Sequence, residues 1–143
     1  MKRAGAIFFL VSILRVVPSA AAQCNVGAQG VAFGTYDVFS SQGVDSTGNI
    51  AVTCDVSTPY AIAMSPGQGT YALRSMASGT YRLGYNLFTD ASRATVWGDG
   101  TGGSSTVSGS TAAANYTVFG RIPARQNAHV GAYADSVTIT LTF

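Results

Sequence analysis

The last eight residues of the chain, 136–143, read SVTITLTF. An apolar residue at every second position predicts a β-strand with one buried face. The apolar residues of this stretch are Val137, Ile139, Leu141 and Phe143. Chain ends are more often polar and poorly ordered. We therefore expect this strand to pair with another strand and to cover a core, and the question is which strand pairs with it.

The first 22 residues have the three parts of a secretory signal peptide. A basic start is followed by an apolar stretch and then by the small residues of PSAAA, which suit a signal peptidase. We predict cleavage after Ala22, which leaves residues 23–143 as one mature domain. The alternative is a membrane anchor, and it is disfavoured because Arg15 interrupts the apolar stretch.

Export changes the charge of the protein. The chain has eight basic and six acidic residues, and three of the basic ones lie in the predicted signal peptide. The mature chain then holds five arginines and six aspartates, with no lysine and no glutamate. No basic patch for nucleic acid or anionic lipid is left. Contact with a membrane is therefore expected only in transit during export.

Two cysteines remain in the mature chain, Cys24 and Cys54. An even pair in an exported protein indicates a disulfide. The bond would close a loop of about 30 residues and stabilise the fold by about 3–4 kcal/mol in the chain-entropy description. Free thiols or a metal site are the alternatives, and they are disfavoured because no further ligand lies nearby.

Strand-like segments separated by turn residues fill the mature chain, and no convincing helical pattern interrupts them. The predicted strands are 31–39, 49–54, 59–65, 71–76, 81–90, 115–124 and 133–143. Threonine, valine, tyrosine and phenylalanine are plentiful, and glycine and proline separate the segments. About seven strands in about 120 residues are typical of a single immunoglobulin-like sandwich.

The signals for catalysis are weak. His129 is the only histidine, and no serine stands in a G-x-S-x-G context. We interpret His129 as an exposed loop residue. The stretch WGDGTGGS at 97–104 lacks the ending of a phosphate loop and the closing glutamate of a calcium loop. Its Trp97 either packs at the edge of the core or belongs to a surface patch. We predict no enzyme, no cofactor and no metal.

Several motifs follow one another in a fixed order along the mature chain. Between the two cysteines stand FG-x-Y-D and D-x-T-G-x-I-x-V-x-C, and VWGDGTGG, VFGRIPARQN and GAYADSVTITLTF come later. Together they resemble the spore coat protein U domain family over essentially the whole mature chain. That family is similar to the subunits of archaic, Csu-type chaperone–usher pili, which are secreted through the periplasm for surface attachment and biofilm formation.

The resemblance implies an all-β, incomplete immunoglobulin-like sandwich that lacks its last strand. A periplasmic chaperone fills the groove first, and a donor strand from a neighbouring pilus subunit then replaces it at an outer-membrane usher. One wall of the groove would consist of Val137, Ile139, Leu141 and Phe143. The same resemblance implies that a Cys24–Cys54 disulfide ties the first strand to the second.

One departure from the family pattern bears on function. A rod subunit has a donor segment before its first cysteine, whereas cleavage after Ala22 leaves only Gln23 there. Such a chain accepts a donor strand but does not supply one. The sequence thus favours a minor or terminal pilus subunit, acting in adhesion and biofilm formation. The alternatives are a misread start, a spore or surface coat protein outside pili, and a tip adhesin or lectin-like module whose loop 91–113 contacts a surface through Trp97.

Overall fold

The computed structural model describes residues 21–143, so the predicted signal peptide, apart from its last two residues, lies outside the described part. Residues 21–143 form eight strands, and this part of the chain contains no helix long and apolar enough to cross a membrane. The strands are β1 (Cys24–Gln29), β2 (Val44–Cys54), β3 (Tyr60–Met64), β4 (Arg74–Ser78), β5 (Tyr81–Phe88), β6 (Val107–Gly109), β7 (Ala113–Ile122) and β8 (Ile139–Thr142).

The strands form two sheets that face each other. Five strands lie in the order β1-β2-β7-β5-β4, and three lie in the order β6-β3-β8, with antiparallel pairing throughout. Because β8 pairs only with β3, its second edge has no neighbouring strand among the described residues. The predicted all-β, immunoglobulin-like class is confirmed.

The core follows from the alternation of side chains along the strands. In β3, for example, Tyr60, Ile62 and Met64 are buried, and the alanines between them are not. Each fully buried large apolar side chain contributes about 1.5–3 kcal/mol. The buried apolar residues are Ile50, Val52, Cys54, Tyr60, Ile62, Met64, Met76, Leu83, Tyr85, Leu87, Trp97, Val118 and Ile122.

The cysteines lie at the start of β1 and at the end of β2. Cys24 and Cys54 are register partners in this antiparallel pair, and their sulfur atoms are bonded. The predicted disulfide between the first and second strands is therefore confirmed. It fastens β1, whose residues are mostly exposed, to the edge of the larger sheet.

The strand predicted over 31–39 is wrong. This segment pairs with no strand, and Gly34 has a φ of 75°, which interrupts extended backbone. Apolar residues alternate in this segment because one side of it covers the core. Burial alone does not make a strand, which also needs a neighbouring strand for its backbone hydrogen bonds. The short strands β1 and β6 were not predicted, and β8 begins six residues later than the prediction over 133–143.

The chain crosses from β1 over the inner face of the larger sheet at two glycines. A Cβ atom at Gly48 would lie 2.6 Å from the carbonyl oxygen of Gln29. One at Gly120 would lie 2.7 Å from the ring of Phe33 and 2.8 Å from Val31. Any larger residue would push the segment away from β2 and β7. These glycines therefore fix the position of residues 29–33 against the sheet.

Candidate functional site

The described chain has a cavity of about 970 Å³ between two segments that have no full strand partner. We call residues 28–39 the first wall and residues 128–139 the second wall. The floor is apolar and comes from both sheets. Its residues are Ile50, Met64, Met76, Leu83, Tyr85, Leu87, Val118 and Ile122. We refer to this cavity as the groove.

Alternate residues of each wall face the core. In the first wall Val31 and Phe33 are half-buried, and the alternation then shifts by one residue at Gly34, so that Tyr36 and Val38 follow. In the second wall the half-buried positions are Tyr133, Asp135, Val137 and Ile139. Both walls thus have the side-chain pattern of strands without forming a continuous ladder.

The backbone of the two walls is largely unpaired. Within the described residues, no backbone-to-backbone hydrogen bond involves residues 30–36 or residues 129–133. Next to these stretches, Ala134 exchanges two hydrogen bonds with Ala77, and the carbonyl oxygen of Thr138 accepts one from Ser65. Three carbonyl oxygens of these stretches accept hydrogen bonds from side chains. The other N–H and C=O groups beside the apolar floor are groups that an added strand can pair with.

Two large apolar side chains stand exposed on the groove. Phe39, in the first wall, is 91% exposed, and Val130, in the second wall, is 94% exposed. Burying them would release about 25 cal/mol per Å² of apolar surface. The groove therefore presents apolar surface both on its floor and on its walls.

Asp135 anchors the second wall to the floor and to a turn. The Tyr85 hydroxyl donates to Asp135 Oδ2 at 2.7 Å, and the Gln68 backbone N–H donates to Asp135 Oδ1 at 3.1 Å. Burial, together with the bond to this carboxylate, raises the pKa of Tyr85 well above its ordinary value. Tyr85 thus remains a neutral donor at physiological pH and holds the wall in place.

The structure separates the four residues predicted to form a groove wall. Val137 and Ile139 line the groove. Leu141 pairs with Ile62 in β3 and packs on the core outside the groove lining. Phe143 is 55% exposed and also lies outside the lining. Residues 128–135 and the whole first wall were not among the predicted groove residues.

Trp97 does not form a surface patch. It is only 1% exposed, its indole Nε1–H donates to the carbonyl oxygen of Ile62 at 3.0 Å, and its ring meets Tyr116 edge-on. Bridges from Val96 to Phe88 and from Trp97 to Ser105 fold the loop back over the core. The hypothesis that Trp97 contacts an external surface directly is therefore wrong, whereas packing with the core is confirmed.

A buried arginine lies beneath the same loop and was not predicted. Arg74 is fully buried, and its guanidinium donates to the carbonyl oxygens of Ser65 and Trp97 and to Asn86 Oδ1, at 2.6–3.2 Å. Burial lowers the pKa of Arg74 from its ordinary value. The only sequence signal was its spacing of two residues from the buried Met76. Arg74 joins β3, β4, β5 and the loop.

His129 is exposed, as predicted. Its ring stacks on Tyr81 with centroids 4.0 Å apart, and its Nδ1 lies 3.0 Å from the carbonyl oxygen of Val130. Neither contact supplies a nucleophile for the imidazole to activate. In residues 21–143, no group of three or more metal-ligating side chains converges.

Comparisons with known proteins agree with this geometry. The family model described as Spore Coat Protein U domain matches residues 10–140. Protein U of Myxococcus xanthus is 34% identical over 140 residues, an alignment covering 84% of this chain and 77% of that protein. The chain therefore belongs to the Spore Coat Protein U domain family.

A solved structure extends the comparison to a pilus system. A chain in the CsuC–CsuE chaperone–tip adhesion subunit pre-assembly complex, from the archaic chaperone–usher Csu pili of Acinetobacter baumannii, is 27% identical, with a TM-score of 0.60. The match covers 85% of this chain but only 40% of that one. This likeness supports a pilin-like sandwich and leaves the remaining 60% of the other chain without a counterpart in the match.

Proposed function

We propose that this chain is a structural subunit of a chaperone–usher-type surface pilus, joined to its neighbours by strand donation. The observation on which the proposal rests is the groove, an apolar floor flanked by two stretches, residues 30–36 and 129–133, that make no backbone-to-backbone hydrogen bonds. The likeness to a chain of the Csu pre-assembly complex supports the same reading.

The groove suits an extended segment from another polypeptide. A strand laid between the walls can pair on both sides, to residues 30–36 and to residues 129–133. Its alternate side chains then enter the cavity and cover the floor. Burying four or five of them corresponds to about 6–15 kcal/mol of gross apolar burial, before the cost of ordering the strand.

A chaperone would occupy the groove before a neighbouring subunit does, because the apolar surface is first exposed during export. During export an empty groove would expose apolar surface and unpaired edges, which favour aggregation. A periplasmic chaperone would fill the groove at that stage, and a neighbouring subunit would replace the chaperone at the outer-membrane usher. The assembled protein would lie at the cell surface and act in adhesion and biofilm formation, in a structural and not a catalytic role.

Two substitutions on opposite faces of one segment test the proposal. Val137→Asp places a charge in the groove lining, whereas Thr140→Asp places one on an exposed position of β8. We expect Val137→Asp to abolish copurification with the chaperone and the appearance of the chain in surface fibres. Thr140→Asp is expected to preserve both. Normal fibre assembly by Val137→Asp would refute strand donation through this groove.

A second candidate is a coat protein that works outside pili, and the 34% identity to Protein U favours it. This candidate keeps the fold and dispenses with the usher. Surface display in cells that lack every usher separates the two. Loss of display supports the pilus subunit, and undiminished display supports the coat protein.

A further inference from the structure

One side chain of the first wall ties that wall to the segment that leads into the second wall. The Tyr36 hydroxyl donates to the carbonyl oxygen of Pro123 at 2.9 Å and accepts the backbone N–H of Gln126 at 2.8 Å. Tyr36 belongs to the first wall, and Gln126 lies two residues before the second wall. Among the described residues, no other hydrogen bond joins residues 28–39 to residues 123–139.

Gln126 is itself fixed to the floor. Its side-chain Nε2 donates to the carbonyl oxygen of Gly84 at 2.7 Å, and its Oε1 accepts the Gly84 N–H, also at 2.7 Å. The amide therefore binds one residue of β5 on both its donor and its acceptor, as a paired strand residue would. This holds the backbone N–H of Gln126 in place for Tyr36, and the wall-to-wall link is rigid because it is anchored to a sheet.

The other end of the groove has no such link. There the first wall begins in β1, in the five-stranded sheet, and the second wall runs into β8, in the three-stranded sheet. Tyr36 lies near the last residue of the first wall, and Gln126 lies just before the first residue of the second wall. Ala28 and Ile139, at the opposite ends of the two walls in sequence, also line the groove. The groove is thus tied at one end and open at the other.

We infer that the Tyr36–Gln126 link is an end stop that sets the register of the incoming strand. The inference rests on the proposed function, because it presupposes that the groove accepts a strand. Moving a strand by one residue turns its apolar side chains outward, so burial already forbids that shift. A shift by two residues keeps the same face inward, and burial alone does not forbid it. A fixed obstacle at one end of the groove prevents this second kind of slip.

A repetitive peptide makes this inference testable, because it has no register preference of its own. The probe is a peptide of about ten residues, the length of a long strand, with alternating valine and threonine. A series of such peptides has a single cysteine moved along the inward positions. The protein is the full chain with Ala128→Cys, a half-buried position in the groove lining. It is refolded with each peptide, and the yield of intermolecular disulfide is measured.

The variant that breaks the link is Tyr36→Phe, which keeps the ring and removes both hydrogen bonds. The matched control is Ser46→Ala. The Ser46 hydroxyl donates to the carbonyl oxygen of Ala32 at 2.6 Å, so it holds the same wall without joining it to the other. If Tyr36→Phe does not fold, Gln126→Ala loosens the link from the floor side and serves as the second variant.

We expect one peptide position to crosslink in the parent chain and in Ser46→Ala. In Tyr36→Phe the yield should spread over at least two positions that are two residues apart, with affinity lowered by about three- to tenfold. A single position in every variant would overturn the end stop and leave strand acceptance intact. Several positions in the parent chain, or a spread in Ser46→Ala, would also overturn it. If no peptide binds any variant, the proposed function fails, and the inference fails with it.

Discussion

The two halves of this sandwich differ in how completely their polar groups are hydrogen-bonded within the chain. Around Trp97 and Arg74, which we call the closed half, a loop folds over the core and every polar group of the two side chains is hydrogen-bonded. At the groove, residues 30–36 make no backbone-to-backbone hydrogen bond, and Phe39 stands exposed. The closed half is complete within this chain, whereas the groove, under the proposed function, is completed by a strand from a partner. Substitutions in the closed half should thus destabilise the chain equally, whether the groove is filled or empty.

The largest loss in the closed half is expected from Trp97→Ala. Removing a fully buried indole leaves a cavity and takes the Nε1–H donor from the carbonyl oxygen of Ile62, so the free energy of unfolding should fall by about 3–5 kcal/mol. Urea unfolding of the chain filled with the valine–threonine peptide measures this loss. Tyr81→Ala, at a half-exposed ring, is the control and should change stability by less than about 1 kcal/mol. If Trp97→Ala abolishes surface attachment while stability is unchanged, the result would contradict a core role and support direct contact of Trp97 with a surface.

Removal of the disulfide should have the next largest effect. Replacing Cys24 and Cys54 by serine frees a loop whose ends are 30 residues apart, and we expect a loss of about 3–4 kcal/mol. The fall in the free energy of unfolding should be measured both with and without the valine–threonine peptide, because this shows whether the disulfide acts on the groove. Equal losses agree with a disulfide that acts outside the groove. A loss seen only in the peptide-filled form would place β1 in strand binding.

Arg74→Met tests the buried hydrogen bonds of the closed half. The substitution leaves the carbonyl oxygens of Ser65 and Trp97 and the side chain of Asn86 without this donor, and we expect a loss of about 2–3 kcal/mol. Arg82→Met is the matched control, because Arg82 is exposed and bonds only nearby carbonyls. Differential scanning calorimetry of both variants gives the comparison. Equal losses of stability in the two variants would contradict a stabilising role for the buried hydrogen bonds of Arg74.

The smallest effect is electrostatic. The hydrogen bond from Arg121 to Asp45, aided by the charges of Arg121 and Arg93, lowers the pKa of the Asp45 carboxyl. A lowered folded-state pKa contributes stability above the unfolded value of about 3.9, and that stability is lost as the pH falls through the folded pKa. The pair is partly exposed, so Asp45→Asn should reduce the loss of stability below about pH 4 by less than about 1 kcal/mol. Urea unfolding of both chains at several pH values measures this. A stability that falls more steeply with decreasing pH in Asp45→Asn than in the parent chain would contradict the lowered pKa.

Some of this fold could be predicted from the sequence because apolar and polar side chains alternate wherever one face of a strand is buried. Tyr60, Ile62 and Met64 alternate as a buried strand should, and β3, β5 and β7 lie close to the predicted segments. The same alternation misleads at residues 31–39. Val31 and Phe33 cover a core as strand residues do, but whether a strand forms depends on a partner that sequence periodicity does not contain.

The site was harder to predict than the fold because it depends on long-range contacts. Val137 and Ile139 could be assigned to the groove from their alternation and from the family resemblance. The link from Tyr36 to Gln126 joins residues 90 positions apart and depends on a backbone N–H, which has no sequence signal. Trp97 lies in a glycine-rich loop, a composition typical of exposed segments. Bridges at Val96 and Trp97 and the bond from the indole to Ile62, a residue distant in sequence, hold it in the core.

Amide hydrogen exchange of the two walls tests the central claim most directly. The full chain is compared with and without the valine–threonine peptide, and exchange is followed at residues 30–36 and 129–133. We predict rapid exchange of these amides in the free chain and strong protection once the peptide is bound, with little change in β2 and β7. Protection of both walls in the free chain, or no protection after the peptide has bound, would contradict the account.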